Sequence, residues 1–527
     1  MLTSPWMIFW LLLAGAAPAA AAAWRQPRFA RPLALGAALL AGLIWLINTL
    51  RNQPWPLRFA APGWAGAAPL PPLHWEIDAI SWSLSGALTL LLTAVLLADL
   101  FSPPAAAATR ARWQPAAALL LGASVLLTLW AASLPGLLIG WCALASAWAL
   151  IHSGAQSRPA AGAGLPPRLG WLLLPLLLLA GAAAWSPPGT ALQEVSGGAN
   201  TALWLAALAQ MGLWPLHRWR PLREPLTLPG LPLLHLAPPL AGVALLTRLA
   251  FPAPGLVLLL TLIGLLSMLA GVRHAWAHAQ TPQRTVAALA LLQASLTFLA
   301  GLWAGATAAV AEAHVLALAL TVLFLALYQQ PLRRRWQPLL GALAALAALA
   351  GLPPTVGFVG HGALYAAWLA NGRFVLVLAS ALLLAPVIAL TFMLLRERSA
   401  APEAPQTSSL PARLATAASL LLPLAGLFVF DWRALTTVSP VGALILLATA
   451  VAGLLLLPRL LSEHAALRRA LRQAFSVRLE TNAAVTRARQ ARQGLITALT
   501  DAEAILEGER GLLWLLLFLV IFLLYGL

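Results

Sequence analysis

Apolar runs of about twenty residues recur along nearly the whole chain, each bounded by arginine, proline or glycine and holding few charged residues. A helix of that length covers the hydrocarbon core of a bilayer, because each residue rises about 1.5 Å. Lipid offers no partner to an unpaired backbone group, so helices are the expected element throughout. Only 9% of the 527 residues are charged and 61% are hydrophobic, whereas roughly a quarter are charged in an average soluble domain. The expected class is an all-α polytopic membrane protein.

Hydrophobic runs read against turn and charge signals give sixteen expected spans, near 6–24, 33–49, 77–101, 115–133, 136–153, 169–185, 199–216, 230–251, 253–272, 284–304, 306–328, 338–359, 374–395, 412–430, 438–457 and 511–527. All 32 basic residues are arginines, and 27 of them fall in connections that follow odd-numbered spans. Only Arg51, Arg58, Arg248, Arg373 and Arg433 fall on the other side. Basic residues concentrate on the cytoplasmic face, so both termini are expected outside. The same distribution accounts for the net charge of +17 as membrane topology, without nucleic acid. The first run ends in alanines but lacks a basic segment before it, and is read as a retained helix.

The expected organisation is 1–110 for the first three spans, 111–251 for a first repeat, 252–398 for a second, and 399–457 for spans fourteen and fifteen. Residues 458–510 carry nine arginines and six acids, with Leu467, Leu471, Phe475 and Leu479 spaced by four. This pattern predicts an amphipathic helix lying along the cytoplasmic face, with 511–527 as the terminal span. A solvated linker is the plainer alternative.

Two spans are interrupted by proline, the seventh at Pro215 and the twelfth at Pro353 and Pro354. Prolines at matching places in two halves point to broken helices in an inverted repeat, where freed backbone groups line a polar cavity. Around these breaks lie Pro215-Leu-His217-Arg-Trp219-Arg-Pro221 and Gly351-Leu-Pro-Pro-Thr-Val-Gly357-Phe358-Val-Gly-His361. Together with His235 and the Gln280-Thr-Pro-Gln-Arg284 segment, they resemble motifs of the antiporter-like subunits of the membrane arm of complex I and of multisubunit sodium/proton antiporters. The resemblance covers spans three to sixteen in order. It implies inverted repeats with broken helices seven and twelve, and a lateral helix that straps neighbouring subunits together.

Members that pump are thought to relay protons through buried lysines with a glutamate partner. Here the matching positions hold Cys142 after Trp141, Gln210 five residues before the seventh-span proline, and Leu320 in the eleventh span, while the twelfth-span lysine is replaced by His361. Glutamine and leucine carry no proton charge, and a lone cysteine in lipid-like surroundings stays a thiol. Five titratable residues remain as candidates for a proton path: His361, Glu312, His314, His235 and His217. An imidazole titrates near pH ~6.5, close to working conditions. The plainer alternatives are a hydrogen bond to freed carbonyls for His217 and His235, and a mutually satisfied pair for Glu312 and His314.

His274 and His278 share a helix face, but no third ligand lies near in sequence, so no metal site is assigned. The single cysteine excludes an internal disulfide or a cysteine-held cluster. If the resemblance holds, quinone, flavin and iron–sulfur clusters belong to partner subunits, the lipid bilayer and other membrane-arm subunits are the partners, and the bacterial inner membrane is the location. Two other readings stand beside it: a proton-conducting subunit of an ion- or bicarbonate-linked transporter complex, and a polytopic enzyme such as a lipid-linked transferase. The last is weakened because Glu194 and Glu224 stand nearly alone on the expected loops.

Overall fold

A computed structural model of the chain describes residues 4–51, 55–60, 73–101, 113–155, 170–187, 190–213, 230–279, 281–328, 336–400, 417–428 and 438–463. The helices follow the apolar runs. The first are α1 (Met7–Arg25), α2 (Ala30–Leu50), α3 (Ala79–Leu100), α4 (Gln114–Leu129), α5 (Leu134–Ala155) and α6 (Gly170–Trp185). Next come α7 (Gly197–Gln210), α8 (Gly230–Leu246), α9 (Pro254–Ala277) and α10 (Pro282–Ala304). Helix α11 (Ala306–His314) passes through a π turn at Val315–Ala319 into α12 (Leu320–Tyr328). They are followed by α13 (Trp336–Leu349), α14 (Val356–Ala370) and α15 (Phe374–Ala400). Finally α16 (Pro440–Val451) runs through a second π turn, Ala452–Leu456, into α17 (Leu457–Glu463).

Among the described residues nine helical segments are long and apolar enough to cross a membrane. They differ in what they face. Helices α10 and α11–α12 are almost wholly buried, while α2, α9 and α16 expose leucines such as Leu40, Leu259 and Leu444 on one side. Leucine is as comfortable against lipid tails as against another helix, so these outer faces are what a lipid-facing perimeter requires. The largest wholly buried side chains include Trp130, just past the end of α4, Trp204 of α7 and Trp368 of α14.

The expectation of helix alone fails between the second and third spans. There β1 (Leu57–Ala60) pairs antiparallel with β2 (His74–Ile77), Leu57 facing Ile77 and Ala60 facing His74. The far edge of β2 is held as well, since the Glu76 N–H donates to the Trp130 carbonyl at 2.7 Å. Outside the lipid a strand is permitted, and the alternation of polar and apolar residues in His74-Trp75-Glu76-Ile77 suits one. Asp78 then starts α3 with a reciprocal cap, accepting from Ser81 N at 2.6 Å while its own N–H donates to Ser81 Oγ at 2.9 Å.

The twelfth span also differs from its expected limits of 338–359. It is two half-helices, α13 and α14, and the second runs eleven residues further, to Ala370. A glycine, rather than a proline, ends the first half. Gly351 has φ +65°, its N–H donates to the Ala348 carbonyl, and the next N–H, of Leu352, donates to Ala347. This is the left-handed cap that glycine alone adopts without steric cost. Helix α7 ends in the same way: Gly212 has φ +65°, with Gly212 N bonded to Ala209 O and Leu213 N to Leu208 O. Both spans expected to be broken therefore stop at one type of cap, a few residues before the prolines.

Of the expected fourteenth span, the described part is a short helical stretch and a 3₁₀ turn at Leu422–Gly426. Pro215, His217, Trp219 and Pro221, the lateral helix from 464 onward, and the terminal span at 511–527 lie outside the described residues.

Candidate functional site

The two half-helices approach closely because α14 presents glycines. A Cβ on Gly357 would overlap the carbonyl oxygen of Ala348 at the end of α13, and one on Gly360 would overlap Oε1 of Glu312. Glu312 stands two turns into α11, and His361 follows Gly360 on α14. The bare face of α14 thus lets a carboxylate from a neighbouring helix reach the level of the break.

Glu312 and His361 meet there. His361 Nδ1 is 2.9 Å from the carbonyl of Gly357, one turn back, and 2.7 Å from Glu312 Oε1, with both side chains wholly buried. The carbonyl can only accept, so Nδ1 carries a hydrogen and donates it to Gly357. One N–H cannot align on two acceptors; Oε1 sits beside it in a close charge contact without an aligned hydrogen bond of its own. The other carboxylate oxygen accepts from Gln293 Nε2 of α10 at 2.5 Å, and the same amide lies 3.3 Å from the Glu312 backbone carbonyl.

The cluster is left open in hydrogen-bonding terms. His361 Nε2 and Gln293 Oε1 are buried without a partner among the described residues. An imidazole with one fixed N–H and one open nitrogen, touching a carboxylate, can hold a proton in more than one place.

The other candidates fall elsewhere. Glu312 and His314 do not pair: two residues on a helix point about 200° apart. His314 bonds through Nδ1 to the Val310 carbonyl at 2.8 Å and lies 3.1 Å through Nε2 from Ser83 Oγ on α3. The ring of His235 is wholly buried and nearly parallel to Phe324, with centroids 5.8 Å apart. Gln210 is the last residue of α7 and Leu320 opens α12, both buried. Cys142 lies on the exposed face of α5, while its neighbour Trp141 is buried, so a side chain at 142 points away from the interior. At the break, Phe358 is buried and Pro353 and Pro354 are exposed. His274 and His278 stack with centroids 6.3 Å apart, and among the described residues no third potential ligand joins them.

Gln293 was not among the residues singled out from the sequence, although an amide at the middle of a 23-residue apolar helix was a usable signal. Gly360 gave none, because its importance lies in the residue opposite. Among the described residues, the buried Arg248 and Asp99 are both paired. Arg248 donates to the carbonyls of Leu129 and Ala131, both at 2.8 Å, and its other nitrogen lies 3.4 Å from Asp78 Oδ2. It thereby closes carbonyls freed at the end of α4 and ties α8 to the cap of α3. Asp99, in the last turn of α3, pairs with Arg31 at 3.2 Å.

No protein-family model matches the sequence, and none of the curated proteins does. Solved structures do match. A chain of the Mrp complex from Dietzia sp. DQ12-45-1b is similar over 98% of this chain, with a TM-score of 0.67 and 19% identity. This chain spans 62% of the length of that one. A chain of respiratory complex I from Thermus thermophilus is matched over its full length by 85% of this chain, at TM-score 0.60 and 23% identity. A chain of the membrane-bound sulfane sulfur reductase, an archaeal respiratory membrane complex, is similar over 79% of this chain and 75% of its own length, at TM-score 0.59 and 15% identity. The likeness is one of fold, and it is the polytopic membrane fold that the motifs at the two breaks led us to expect.

Proposed function

We propose that this chain is an antiporter-like subunit of a multisubunit membrane complex of the complex I kind, and that Glu312 and His361 carry a proton through its second half. The observation that supports this most is the contact of a wholly buried carboxylate with a wholly buried imidazole beside a broken helix. Ionisable groups are costly in a membrane interior and generally mark a path for ions or protons. In the first half Gln210 cannot titrate and Cys142 faces outward. We take the second half, where a buried carboxylate meets a buried imidazole, as the conducting one, and the first as serving assembly and coupling of the arm.

On this reading the redox groups, namely flavin, iron–sulfur clusters and quinone, are held by partner subunits, and the complex sits in a bacterial inner membrane with both termini of this chain outside. Residues 458–510 lie along the cytoplasmic face and strap the neighbouring subunits. Purification of the intact assembly tests the setting. Copurifying subunits with flavin and iron–sulfur clusters are expected, and a single soluble zinc-bearing partner would exclude the redox setting.

A second reading keeps the proton path and changes the partners to those of an ion-transporting assembly without redox subunits. It is favoured by the likeness to the Mrp-complex chain, which extends over 98% of this chain. The same purification separates the two.

A further inference from the structure

The second half-helix α14 begins with a residue of the kind that ordinarily caps a helix, and here it does not. Thr355 is the N-cap of α14 and is buried, yet its side chain makes no cap bond. The hydroxyl turns back instead and donates to the Leu352 carbonyl at 2.6 Å. The first N–H groups of a helix have no partner within it, so inside a protein they must be met from elsewhere. For Val356, the first residue of α14, the partner comes from far along the chain. Its N–H donates to the carbonyl of Leu427 at 2.8 Å, and beside that bond Thr355 and Phe428 form an isolated antiparallel bridge.

Leu427 follows the 3₁₀ turn at Leu422–Gly426 and is wholly buried. The residues around this turn also meet the other parts of the site. Leu420 lies beside Gly341 of α13, where an added Cβ would stand 3.6 Å from that of Leu420. A Cβ on Gly426 would overlap Leu318, in the π turn that follows α11. One short stretch, Leu420–Phe428, thus contacts the first half-helix, the start of the second and the π turn. Glu312 lies six residues before Leu318, and His361 five after Val356. The two anchor points therefore lie on the two segments that carry the buried pair. Oε1 and Nδ1 of that pair are 2.7 Å apart, and a misplacement of about 1 Å at a reacting contact can lower a rate roughly a hundredfold.

We infer that Leu427 is a positioning residue for the proton-carrying pair: its carbonyl stands in for the missing cap of α14 and, with Gly426 seated on the π turn, sets where His361 meets Glu312. The inference rests on the proposed role of Glu312 and His361. A bond from the Thr355 side chain would tie α14 only to its own first turn. The Leu427 carbonyl ties it to an element that also bears on Leu318, so both members of the pair are referenced to one turn. Leu427 takes no part in proton transfer itself.

The experiment uses membrane vesicles holding the complete assembly, a potassium diffusion potential imposed with valinomycin, and a pH-sensitive dye. Its main variant is Val356→Pro. Proline suits the first position of a helix, and the extended backbone of Thr355, with φ −87° and ψ 157°, suits the residue before a proline. Helix α14 should therefore persist while the N–H that Leu427 accepts is gone. Proton flux should fall roughly a hundredfold, and the pH midpoint of the flux should move. The Glu312 carboxyl band in infrared difference spectra, identified by its loss in Glu312→Gln, should shift. Val356→Ala brings back the N–H without the valine side chain and should recover all three. Lost flux with midpoint and band unmoved would make the bond merely structural and overturn the inference. Undiminished flux in Val356→Pro, in assemblies where Glu312→Gln blocks flux, would overturn it too and leave the carboxylate–imidazole pair standing. Undiminished flux in Glu312→Gln would overturn both. Should Val356→Pro prevent assembly, residue-resolved hydrogen exchange on the unaltered assembly decides, together with Gly426→Val, which presses the turn away from Leu318. Fast exchange of the Val356 amide, or an unmoved midpoint and band in Gly426→Val, overturns the inference.

Discussion

His361 Nδ1 lies 2.7 Å from Oε1 of Glu312, and neither side chain has any exposure. Nothing local in sequence brings them together. Glu312 belongs to a helix that runs on through a π turn, and His361 to a half-helix that begins after a break. Taking two such groups out of water costs several kcal/mol per ion when both are charged. Their contact, the Gln293 amide and the Gly357 carbonyl offset that cost without closing the site, because Nε2 stays open.

The approach of the carboxylate depends on Gly360. An added methyl there meets Oε1 of Glu312, so Gly360→Ala should displace the carboxylate from His361 and reduce proton flux strongly without removing any titratable group. Gly36→Ala, where a Cβ meets nothing within 4 Å, should be neutral. Flux measured in matched vesicles checks the pair. Equal flux in Gly360→Ala and the unaltered chain would mean the carboxylate position is unimportant.

Gln293 fixes one oxygen of Glu312. Gln293→Leu leaves that oxygen without its donor and should destabilise the protein by about 1–3 kcal/mol, the cost of an orphaned buried group. Gln293→Asn should behave similarly, because its amide is one carbon short. Thermal unfolding of the purified assembly, followed by fluorescence-detected size exclusion, reads the shift.

Arg248 separates stability from conduction. Arg248→Met strips the donors from the carbonyls of Leu129 and Ala131 and leaves Asp78 without its cation. The expected loss is roughly 3–5 kcal/mol, typical of breaking a buried pair. Flux per folded assembly should be unchanged, because the residue caps helix ends and touches neither Glu312 nor His361.

Orientation is testable by labelling. In a Cys142→Ala background, Asn371→Cys at the end of α14 should react with a membrane-impermeant maleimide on intact cells. Ala277→Cys at the end of α9 should react only after permeabilisation. The reverse pattern would invert the topology read from the arginines.

Most helices were legible in the sequence because hydrophobic length is a strong signal in a chain solvated by lipid. The run at 253–272 became α9, Pro254–Ala277, and that at 284–304 became α10, Pro282–Ala304. Half-helices were harder. Residues 356–370 form 15 residues of helix, too short to span a bilayer; the break before them was readable from Pro353 and Pro354, but the expected limit at 359 left out most of this second half. The hairpin was missed because the composition argued for helix everywhere, although its alternation was readable.

The site was legible as residues and not as a site. Glu312 was singled out as ionisable near the membrane interior and His361 as standing where the resembling subunits have a lysine, but the plainer reading of Glu312 paired it with His314, two residues on. Helical geometry sends those two side chains apart, and only the packing of α14 on α11 shows which histidine the carboxylate meets.

The central claim is that the carboxylate of Glu312 moves protons together with His361. Passive proton flux through the complete assembly, compared between the unaltered chain and Glu312→Gln, tests it most directly. The glutamine keeps the shape and the contact with Gln293 but cannot ionise, so the account predicts flux at the level of vesicles lacking the assembly. Flux equal to that of the unaltered chain would contradict it.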